Sequence, residues 1–404
     1  MKILLATSAI IPAGGGIASY NQELINAIKL NNVIDVITEE NITNAQYISR
    51  VISICDKNIY SYGFCKTMID EINNAGYDVI INSNSRLVSL ISPYISSPIV
   101  SVSHFVNGKL ALVAGYNARY VQKIIALSHY GKKFIEDKYQ IKDKGKVSVL
   151  YNFIHSKNFQ FDEGKLNPQT LNIVYPGGTS IQKSFDIVMS SLRLLIRHKD
   201  LKFNFFWLGG KKLPAAKLCI PKDVSFLIRS DTRVHFIGRI KRDEAIRIMG
   251  SANVFLLPSR GEGCPMTLLE AMQYGCIPIV SDAHHGSREI LEDGQFGIVV
   301  RNDNAKDLYN QLFQVINNHQ DYVYNYKQTY SYSKTKLSKE LWTEQMMNYI
   351  VEIMNERENM IVCDRNHFQQ NVLKMKCLIF EERIKEILRS LRSSIICNWF
   401  YLTK

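Results

Sequence analysis

Two glutamates stand eight positions apart in the segment PSRGEGCPMTLLEAMQYGCIPIVSD, residues 258–282. The apolar run just before it predicts a buried strand, and SRGEGC has the composition of a turn-rich loop. Pro265 suits the first position of a helix, and Gly275 suits its end. The pattern therefore places Glu262 just before a helix and Glu270 inside it.

A pair of carboxylates first suggests glycoside hydrolysis, in which two acids lie about 5–9.5 Å apart on either side of one bond. Eight residues of helix rise about 12 Å and turn about 80° away from the starting face. Glu262 and Glu270 are therefore poorly placed to flank a single bond. Ionised carboxylates only accept hydrogen bonds, which suits vicinal hydroxyls. The spacing favours two contacts at different points along an extended ligand, and the backbone amides at 264–268 could receive its phosphate or sugar oxygens.

The composition is that of a globular chain with an excess of positive charge. Its 404 residues, 46% of them apolar, suffice for two domains of about 150–200 residues. The formal net charge of +12 predicts an anionic partner: nucleic acid, anionic lipid or a phosphorylated substrate. The sequence has neither zinc-ligand spacing nor the interleaved aromatic and basic residues of RNA-recognition modules, so nucleic acid is disfavoured.

The cysteines and the apolar runs bear on the cellular compartment. Eight cysteines without a C-x-x-C pair predict free thiols in a reducing compartment, and hence an intracellular protein. The opening run MKILLATSAIIPA is short and leads into glycines, which favours a first buried strand over a signal peptide. No window approaches 18 uncharged apolar residues, so we expect any membrane contact to be peripheral.

Short runs rich in β-branched residues alternate with segments of helical period along most of the chain. The rhythm runs from KILLATS to VSVLYN, is interrupted by a polar stretch at 155–170, and restarts at LNIVYPG. Such alternation predicts parallel sheets with helices on both faces. We expect an α/β protein of two doubly wound domains, residues 1–160 and 161–340. Their ligand would bind in a cleft at the carboxyl ends of the strands.

The E-x7-E element, in its 25-residue context, resembles the signature of the retaining family-4 glycosyltransferases. The segment SDAHHGSREIL is similar to a variant found in bacterial enzymes that build surface polysaccharides. The resemblance covers residues 1 to about 355 and implies the GT-B fold, in which two Rossmann-like domains face each other across a cleft. The first domain would be on the acceptor side and the second would bind the nucleotide sugar, with a cross-over helix at 341–356.

On the matching positions, the resemblance implies specific roles. Glu262 would contact the hydroxyls of the donor sugar, and Glu270 would bind the nucleotide ribose. The backbone that follows the first glutamate would contact sugar and diphosphate, at Gly263, Cys264, Pro265 and Met266.

Three other segments resemble family elements. IPAGGGIASYNQELINAI is similar to the N-terminal glycine loop, where Gly15 and Gly16 would let the backbone approach the donor diphosphate. YPGGTSIQKSFDIV resembles the G-R-L-x-x-x-K-G segment, whose lysine, here Lys183, neutralises the diphosphate leaving group. His104, after the strand PIVSVS, matches a family histidine near the donor sugar and the acceptor.

One cation of the family pattern is missing. The position of the family arginine is occupied by Gly178, or by Thr179 in the other register. Arg239 or Arg260 could substitute, but the sequence does not place either beside the phosphate.

Residues 357–404 extend beyond the resemblance as a helical C-terminal extension. Between 371 and 404, seven Lys or Arg residues stand against three Glu, a balance of +4. The apolar residues of this stretch form one helical stripe: Phe380, Ile384, Ile387, Leu388, Leu391, Ile395, Trp399 and Phe400. The pattern fits a basic amphipathic helix on an anionic membrane surface, or equally a helix packed on the domain or on a partner helix.

The resemblance implies a hexosyltransferase that uses a nucleotide-diphosphate sugar and a growing, lipid-linked bacterial glycan, as in O-antigen or capsule synthesis. It implies no cofactor, and the chain has no Asp-x-Asp, which is consistent with a metal-free site. We expect a cytoplasmic protein, in part peripheral on the inner face of the cytoplasmic membrane. Two alternatives stay open: a GT-B epimerase or phosphorylase, and a non-catalytic glycan-binding or scaffold subunit, which the missing arginine would favour.

Overall fold

The computed structural model describes residues 1–10, 16–42, 46–55, 57–105, 108–153, 162–166, 168–209, 228–283, 285–354, 356 and 361–402. The chain forms two compact units. Unit 1 comprises Met1–Asn152 with Glu340–Lys385, and unit 2 comprises Phe153–Lys339 with Glu386–Lys404. Each unit contains one parallel β-sheet with helices around it.

The sheet of unit 1 has seven parallel strands in the order β3-β2-β1-β4-β5-β6-β7. The central strands are valine- and isoleucine-rich runs buried on both faces, as parallel sheets require. The strand order reverses at β1, so β1 and β4 are neighbours and their carboxyl ends meet at one edge. The strands are β1 (Lys2–Thr7), β2 (Val33–Thr38), β3 (Arg50–Ser53), β4 (Val79–Ser83), β5 (Ile99–Ser103), β6 (Lys123–Ala126) and β7 (Val147–Val149).

Helices connect these strands, as right-handed parallel crossovers demand. Local signals set their ends: the Ser128 side chain accepts the Gly131 amide at the start of the last one, and Gly76 ends the second with a φ of +61°. The helices are α1 (Gly16–Ile28), α2 (Tyr62–Ala75), α3 (Arg86–Ile91), α4 (Gly108–Gly115) and α5 (His129–Tyr139).

The sheet of unit 2 has six parallel strands in the order β10-β9-β8-β11-β12-β13. They are β8 (Leu171–Tyr175), β9 (Phe203–Leu208), β10 (Val234–Gly238), β11 (Val254–Leu257), β12 (Ile277–Ser281) and β13 (Ile298–Val300). The helices are α6 (Phe185–Leu195), α7 (Arg242–Ser251), α8 (Met266–Gln273), α9 (Gly286–Ile290), α10 (Ala305–Asn317) and α11 (Val323–Lys336). The apolar core of this unit includes the buried rings of Phe203, Phe205 and Trp207.

Two more helices follow: α12 (Lys339–Ile353) and α13 (Arg365–Leu402). The first turns of α13 complete the core of unit 1, because Phe368, Val372 and Met375 are buried in the same cluster as the sheet residues. Polar contacts add to this packing. The Tyr116 hydroxyl donates to the Asn371 side-chain oxygen at 2.7 Å, and the Asn371 amide donates to the Leu90 carbonyl at 2.8 Å.

A second apolar face of α13 is exposed. Leu373, Phe380, Ile384, Ile387 and Leu388 are between 43% and 64% exposed. At 3.6 residues per turn they lie on the side of the helix roughly opposite the buried residues. The side chains beyond Leu388, including four members of the sequence-predicted stripe, lie outside the described residues.

The predicted alternation of strands and helices in two Rossmann-like domains, with a helical C-terminal extension, is confirmed. The sequence reading missed β3 and α2, which lie between the runs it used. The strand β3 is short and only half-buried, whereas α2 carries ordinary signals in Ser61 before it and Gly76 after it. Among the described residues, the structure offers no helix with an apolar stretch long enough to cross a membrane.

Candidate functional site

Glu262 lies in the loop that joins β11 to α8. Pro265 precedes the helix with an extended backbone (φ −71°, ψ 119°), and Gly275 follows it with a φ of +67°, which glycine adopts without strain. The expected strand, loop and helix are present, but the helix begins at Met266 and Pro265 is its cap. Glu262 is almost fully buried, at 5% exposure.

Lys183 contacts the carboxylate of Glu262, with 2.5 Å between Nζ and Oε1. The lysine ends a 3-10 turn, Ile181–Lys183, and Ser184 reverses the chain with a φ of +54°. The buried Tyr175, at the end of β8, donates its hydroxyl proton to the Lys183 carbonyl at 2.9 Å. Two residues that the sequence singles out, 79 positions apart, are thus in direct contact.

Further hydrogen bonds fasten the lysine turn to the glutamate loop. The Arg260 amide donates to the Gln182 carbonyl at 2.8 Å, and the Gln182 side-chain amide donates to the Gly261 carbonyl at 2.8 Å. The Arg260 guanidinium also donates to the Ile181 carbonyl at 2.5 Å. Because these bonds join the residues next to Lys183 and Glu262, they fix the backbone from which the ion pair forms.

Arg260 is otherwise occupied by two carboxylates. It binds Asp186 through two nitrogens at 2.8 and 2.9 Å, and its Nε donates to Asp303. With the Ile181 contact, four of the five guanidinium N–H groups are used, and 15% of the side chain is exposed. Arg260 therefore supports the Lys183 turn and is not a free cation for a phosphate. Asp186 was missed in the sequence, because an acidic residue in the first turn of a helix is common.

Arg239 is the other arginine proposed as a substitute for the missing family residue. It is exposed and directly follows β10, whose carboxyl end lies at the same sheet edge as that of β8. Two strand spacings separate β10 from β8, about 10 Å. Within the described ranges the structure shows no ion pair of Arg239. The sheet order thus brings an exposed cation to the edge that carries Lys183.

Glu270 lies inside α8 and pairs with a different cation. Its Oε1 is 2.5 Å from Nη2 of Arg242, the first residue of α7. Burial raises the pKa of Glu270, and the Arg242 charge opposes this shift. Glu262 and Glu270 therefore each face their own cation, as expected if they bind separate parts of a ligand.

The backbone positions predicted to contact sugar and diphosphate lie in the loop and first residue of α8. Cys264 and Met266 are buried, and Gly263 lies between them and Glu262 in the loop. The amide of Leu268 donates to the Pro265 carbonyl at 3.0 Å, so it is not available to a ligand as the sequence suggested.

Of the two glycines predicted to lie at the donor diphosphate, Gly15 lies outside the described residues. Gly16 begins α1, and among the described residues a Cβ placed on it would meet no atom within 4 Å beyond its chain neighbours and its own helix backbone.

His104 follows β5 in unit 1 and is 8% exposed. Its Nε2 lies 2.8 Å from the hydroxyl of Ser83, the last residue of β4, and that hydroxyl lies 2.6 Å from Oδ1 of Asn21 on α1. The Tyr20 ring stands nearly perpendicular to the imidazole, with ring centroids 4.7 Å apart. Burial lowers the pKa of His104 to about 3, so the ring is neutral at physiological pH.

A metal site was not expected from the sequence. Within the described ranges, no group of three or more His, Cys, Asp or Glu side chains is arranged to hold a metal ion.

Residues 170–318 match the family model "Glycosyl transferases group 1". That region holds Lys183, Glu262 and Glu270. The chain is 28% identical over 197 residues to an uncharacterized glycosyltransferase of Methanocaldococcus jannaschii, an alignment that covers 48% of this chain and 50% of the relative. It is 30% identical over 111 residues to the N,N'-diacetylbacillosaminyl-diphospho-undecaprenol alpha-1,3-N-acetylgalactosaminyltransferase of Campylobacter jejuni, covering 28% of this chain and 27% of that one. The chain spans about half the length, or less, of these curated relatives.

The fold has solved counterparts. The structure of HepE from Anabaena in complex with UDP superimposes with a TM-score of 0.68 at 15% identity. The superposition covers 87% of this chain and 100% of that one. At this level of identity the likeness concerns the fold, which is the GT-B class expected from the sequence.

Proposed function

We propose that the chain is a retaining glycosyltransferase that moves a hexose from a nucleotide-diphosphate sugar to a hydroxyl of a growing bacterial glycan. The observation that carries the proposal is the contact of Lys183 with Glu262, inside the region that matches the glycosyltransferase group 1 model. Such a donor presents a diphosphate and a hydroxyl-bearing sugar side by side. A cation beside a carboxylate is complementary to both.

In the proposed complex the donor replaces the existing ion pairs. The diphosphate takes the ammonium of Lys183, and Glu262 then accepts hydrogen bonds from the sugar hydroxyls. Glu270 accepts hydrogen bonds from the ribose hydroxyls, and Arg242 donates hydrogen bonds to the oxygens of the same hydroxyls. The diphosphate also receives backbone amides from Gly263, Cys264 and Met266 at the start of α8, with Pro265 setting the turn between them. The diphosphate contact of Gly15 and Gly16 stays a prediction from the sequence.

The proposed reaction is a substitution with retention. The bond between the anomeric carbon and the diphosphate oxygen breaks, and its electron pair stays on the diphosphate. The acceptor oxygen bonds to the same face of the anomeric carbon, and its proton passes to the departing diphosphate. The chain supplies position and charge stabilisation. In our proposal Lys183 and the helix-start amides take the place of a metal ion, no cofactor is needed, and His104 lies near the sugar and acceptor.

Arg239 is our candidate for the second cation of the diphosphate site. It is exposed at the correct sheet edge, whereas Arg260 is bound by Asp186 and Asp303. An arginine about 10 Å from β8 can reach a phosphate that lies between the carboxyl ends of β8 and β10, because its side chain is long. Its planar guanidinium can donate two hydrogen bonds to phosphate oxygens.

The acceptor is proposed to be lipid-linked, which would place the reaction at the inner face of the cytoplasmic membrane. The Campylobacter jejuni relative is named for a diphospho-undecaprenol substrate, and HepE was solved with UDP. In this chain the exposed apolar face of α13 is flanked by exposed basic residues on both sides: Lys376 and Arg383 on one, Lys374 and Lys385 on the other. An exposed apolar stripe with two basic residues on either side, and the exposed Glu381 on the Lys374 side, suits an anionic lipid surface.

The transferase proposal is tested by titrating purified protein with a panel of nucleotide sugars, followed by product analysis with an acceptor glycan. We expect one donor to bind, with binding abolished in Glu270→Ala and kept in Glu244→Ala, an exposed acid of α7. The new linkage should keep the anomeric configuration of the donor, and a chelator should leave the rate unchanged. A folded protein that binds no donor would favour the non-catalytic subunit.

The membrane proposal is tested by sedimentation with vesicles. Full-length protein should bind vesicles with 30 mol% (about one lipid in three) anionic lipid, a composition at which basic residues are attracted, and not neutral vesicles. The double variant Phe380→Ser, Ile384→Ser should lose binding, whereas Leu30→Ser, an exposed leucine outside α13, should keep it. Self-association through α13 without vesicle binding would contradict the membrane role and indicate a second copy as partner.

A further inference from the structure

A chain of buried hydrogen bonds in unit 1 connects a backbone carbonyl to the imidazole of His104. We call Thr7, Asn21, Ser83 and His104 the His104 network. The first three side chains are fully buried, and they come from the carboxyl ends of β1 and β4 and from α1. Each link has only one consistent direction, because some groups in the chain can only donate and others can only accept.

The orientation of the Asn21 amide is set first. Its Nδ2 lies 2.7 Å from the carbonyl oxygen of Ala9 and 2.6 Å from Oγ1 of Thr7. A carbonyl only accepts, so the NH₂ group faces Ala9 and the Asn21 Oδ1 faces the opposite way. Thr7 agrees with this order, because its own hydroxyl proton goes to the Ala9 carbonyl at 3.0 Å.

The direction of the Ser83 hydroxyl follows from that of Asn21. The Asn21 Oδ1 can only accept, and it lies 2.6 Å from the Ser83 oxygen, so Ser83 donates its single proton there. Towards His104, 2.8 Å away, the Ser83 oxygen can then only accept. The proton between them therefore belongs to Nε2 of the imidazole.

The opposite ring nitrogen is left as an acceptor. A neutral imidazole with its proton on Nε2 carries a lone pair on Nδ1. Among the described residues, no hydrogen bond to Nδ1 of His104 is present. The lowered pKa of His104 agrees with a neutral ring, since burial disfavours the second proton.

We propose that Asn21 and Ser83 are positioning residues that hold His104 with its proton on Nε2, so that Nδ1 accepts a hydrogen bond from a sugar hydroxyl. The proton position is a property of the free protein. Only the hydroxyl contact rests on the proposed glycosyltransferase function.

The proton position is tested directly by NMR of protein labelled with ¹⁵N-histidine. Two-bond ¹H–¹⁵N correlations distinguish the protonated from the bare ring nitrogen, and a His104→Gln variant identifies the signal among nine histidines. We expect a neutral ring at pH 7 with the proton on Nε2. A proton on Nδ1, or a charged ring, in the wild-type protein overturns the proposal without reference to any activity.

Two variants test the positioning role. Asn21→Ala frees the Ser83 proton, so Ser83 can donate to Nε2 and the imidazole proton should move to Nδ1. Ser83→Ala removes the partner and should give a mixture of both forms. Asn82→Ala is the control, because this buried neighbour bonds Ser89 and Ser101 instead. An unchanged imidazole spectrum in folded Asn21→Ala and Ser83→Ala contradicts the role.

Turnover separates positioning from mere structural support. In Asn21→Ala we expect kcat to fall about tenfold with little change in KM for the donor, about the worth of one hydrogen bond. Asn82→Ala should keep kcat. If the proton moves as expected and kcat does not change, the hydroxyl contact is wrong while donor transfer itself stands, so the two proposals fail separately.

Discussion

The two units hold their candidate residues by different means. In unit 1, His104 sits in a neutral network in which every described link donates in one direction, from the imidazole towards the Ala9 carbonyl. In unit 2, Glu262 and Glu270 each face a cation, in contacts that charge attraction holds. A neutral network keeps its proton order with or without a charged ligand. An ion pair can be exchanged for another ion.

The supports differ as well. Arg260 holds the Lys183 turn in place through its hydrogen bonds to that turn. The charge of Arg260 is compensated by Asp186 and Asp303. The charged groups of unit 2 therefore fall into two kinds. The pairs Lys183–Glu262 and Arg242–Glu270 are open to exchange, while Arg260 stays bound. Charge in a site is therefore not in itself a sign of a binding role.

Removal of an exchangeable carboxylate should have the largest effect. In Glu262→Ala we expect kcat/KM to fall by about 100- to 1,000-fold, as when one stabilising group is lost from a transition state. Folding should change little, because Lys183 is about one-third exposed and regains water. Steady-state kinetics measure this, with Glu244→Ala as the control. A loss of less than tenfold would show that Glu262 has a structural role and does not exchange its cation for the donor.

Removal of the fixed arginine should instead cost stability. Arg260→Ala removes the guanidinium that binds Asp186, a carboxylate of 8% exposure, and we expect the free energy of unfolding to fall by about 2–3 kcal/mol. Urea denaturation measures the loss, and Arg247→Ala, an exposed arginine of α7, should show almost none.

Arg239→Ala gives the matching experiment on the free cation. We expect unchanged stability and roughly tenfold weaker donor binding, about the worth of one charge-assisted hydrogen bond. If Arg239→Ala destabilised the protein and Arg260→Ala did not, the assignment of the two arginines would be reversed.

The neutral network should make stability fall in acid. The pKa of His104 is about 3 in the folded protein and about 6.5 in an unfolded chain, so the unfolded state binds the extra proton first as the pH drops. Between pH 6.5 and 4.5 this costs the folded state about 2–3 kcal/mol. His104→Gln should remove that part of the pH dependence, whereas His129→Gln, at an exposed position, should keep it. Identical pH profiles of wild type and His104→Gln would show that the ring takes up a proton in the folded state.

The Arg242 contact should matter least for folding. The arginine side chain is 45% exposed, so Arg242→Ala should lower the free energy of unfolding by less than about 1 kcal/mol. The variant should instead change the pH dependence of donor binding, because Arg242 opposes the raised pKa of Glu270. Without Arg242, donor binding should weaken more at pH 5 than at pH 8, since a protonated Glu270 carboxyl accepts hydrogen bonds from hydroxyls less well. Titration calorimetry at both pH values measures this.

The sequence predicted those strands, loops and helices that local residue patterns determine. Turn residues and a proline before MTLLEAMQY indicated the Glu262 loop and helix, and β-branched runs indicated the two sheets. It could not predict which cations the carboxylates meet, because Lys183 and Arg242 are brought to them by strand order. Neither did it single out Ser83 or Asn21. Small polar residues are common at strand ends, and only the contact between β4, β5 and α1 shows that these belong to one network.

The way in which α13 completes unit 1 bears on how the chain is made. The described apolar cluster of the unit 2 sheet runs from Leu171 to Ile316, so this cluster can close as soon as that stretch leaves the ribosome. The described cluster of unit 1 includes Phe368, Val372 and Met375, which are synthesised after its other buried residues. The apolar cluster that is translated first is therefore the one that closes last, and until then its sheet keeps an uncovered apolar surface on which chaperones can act.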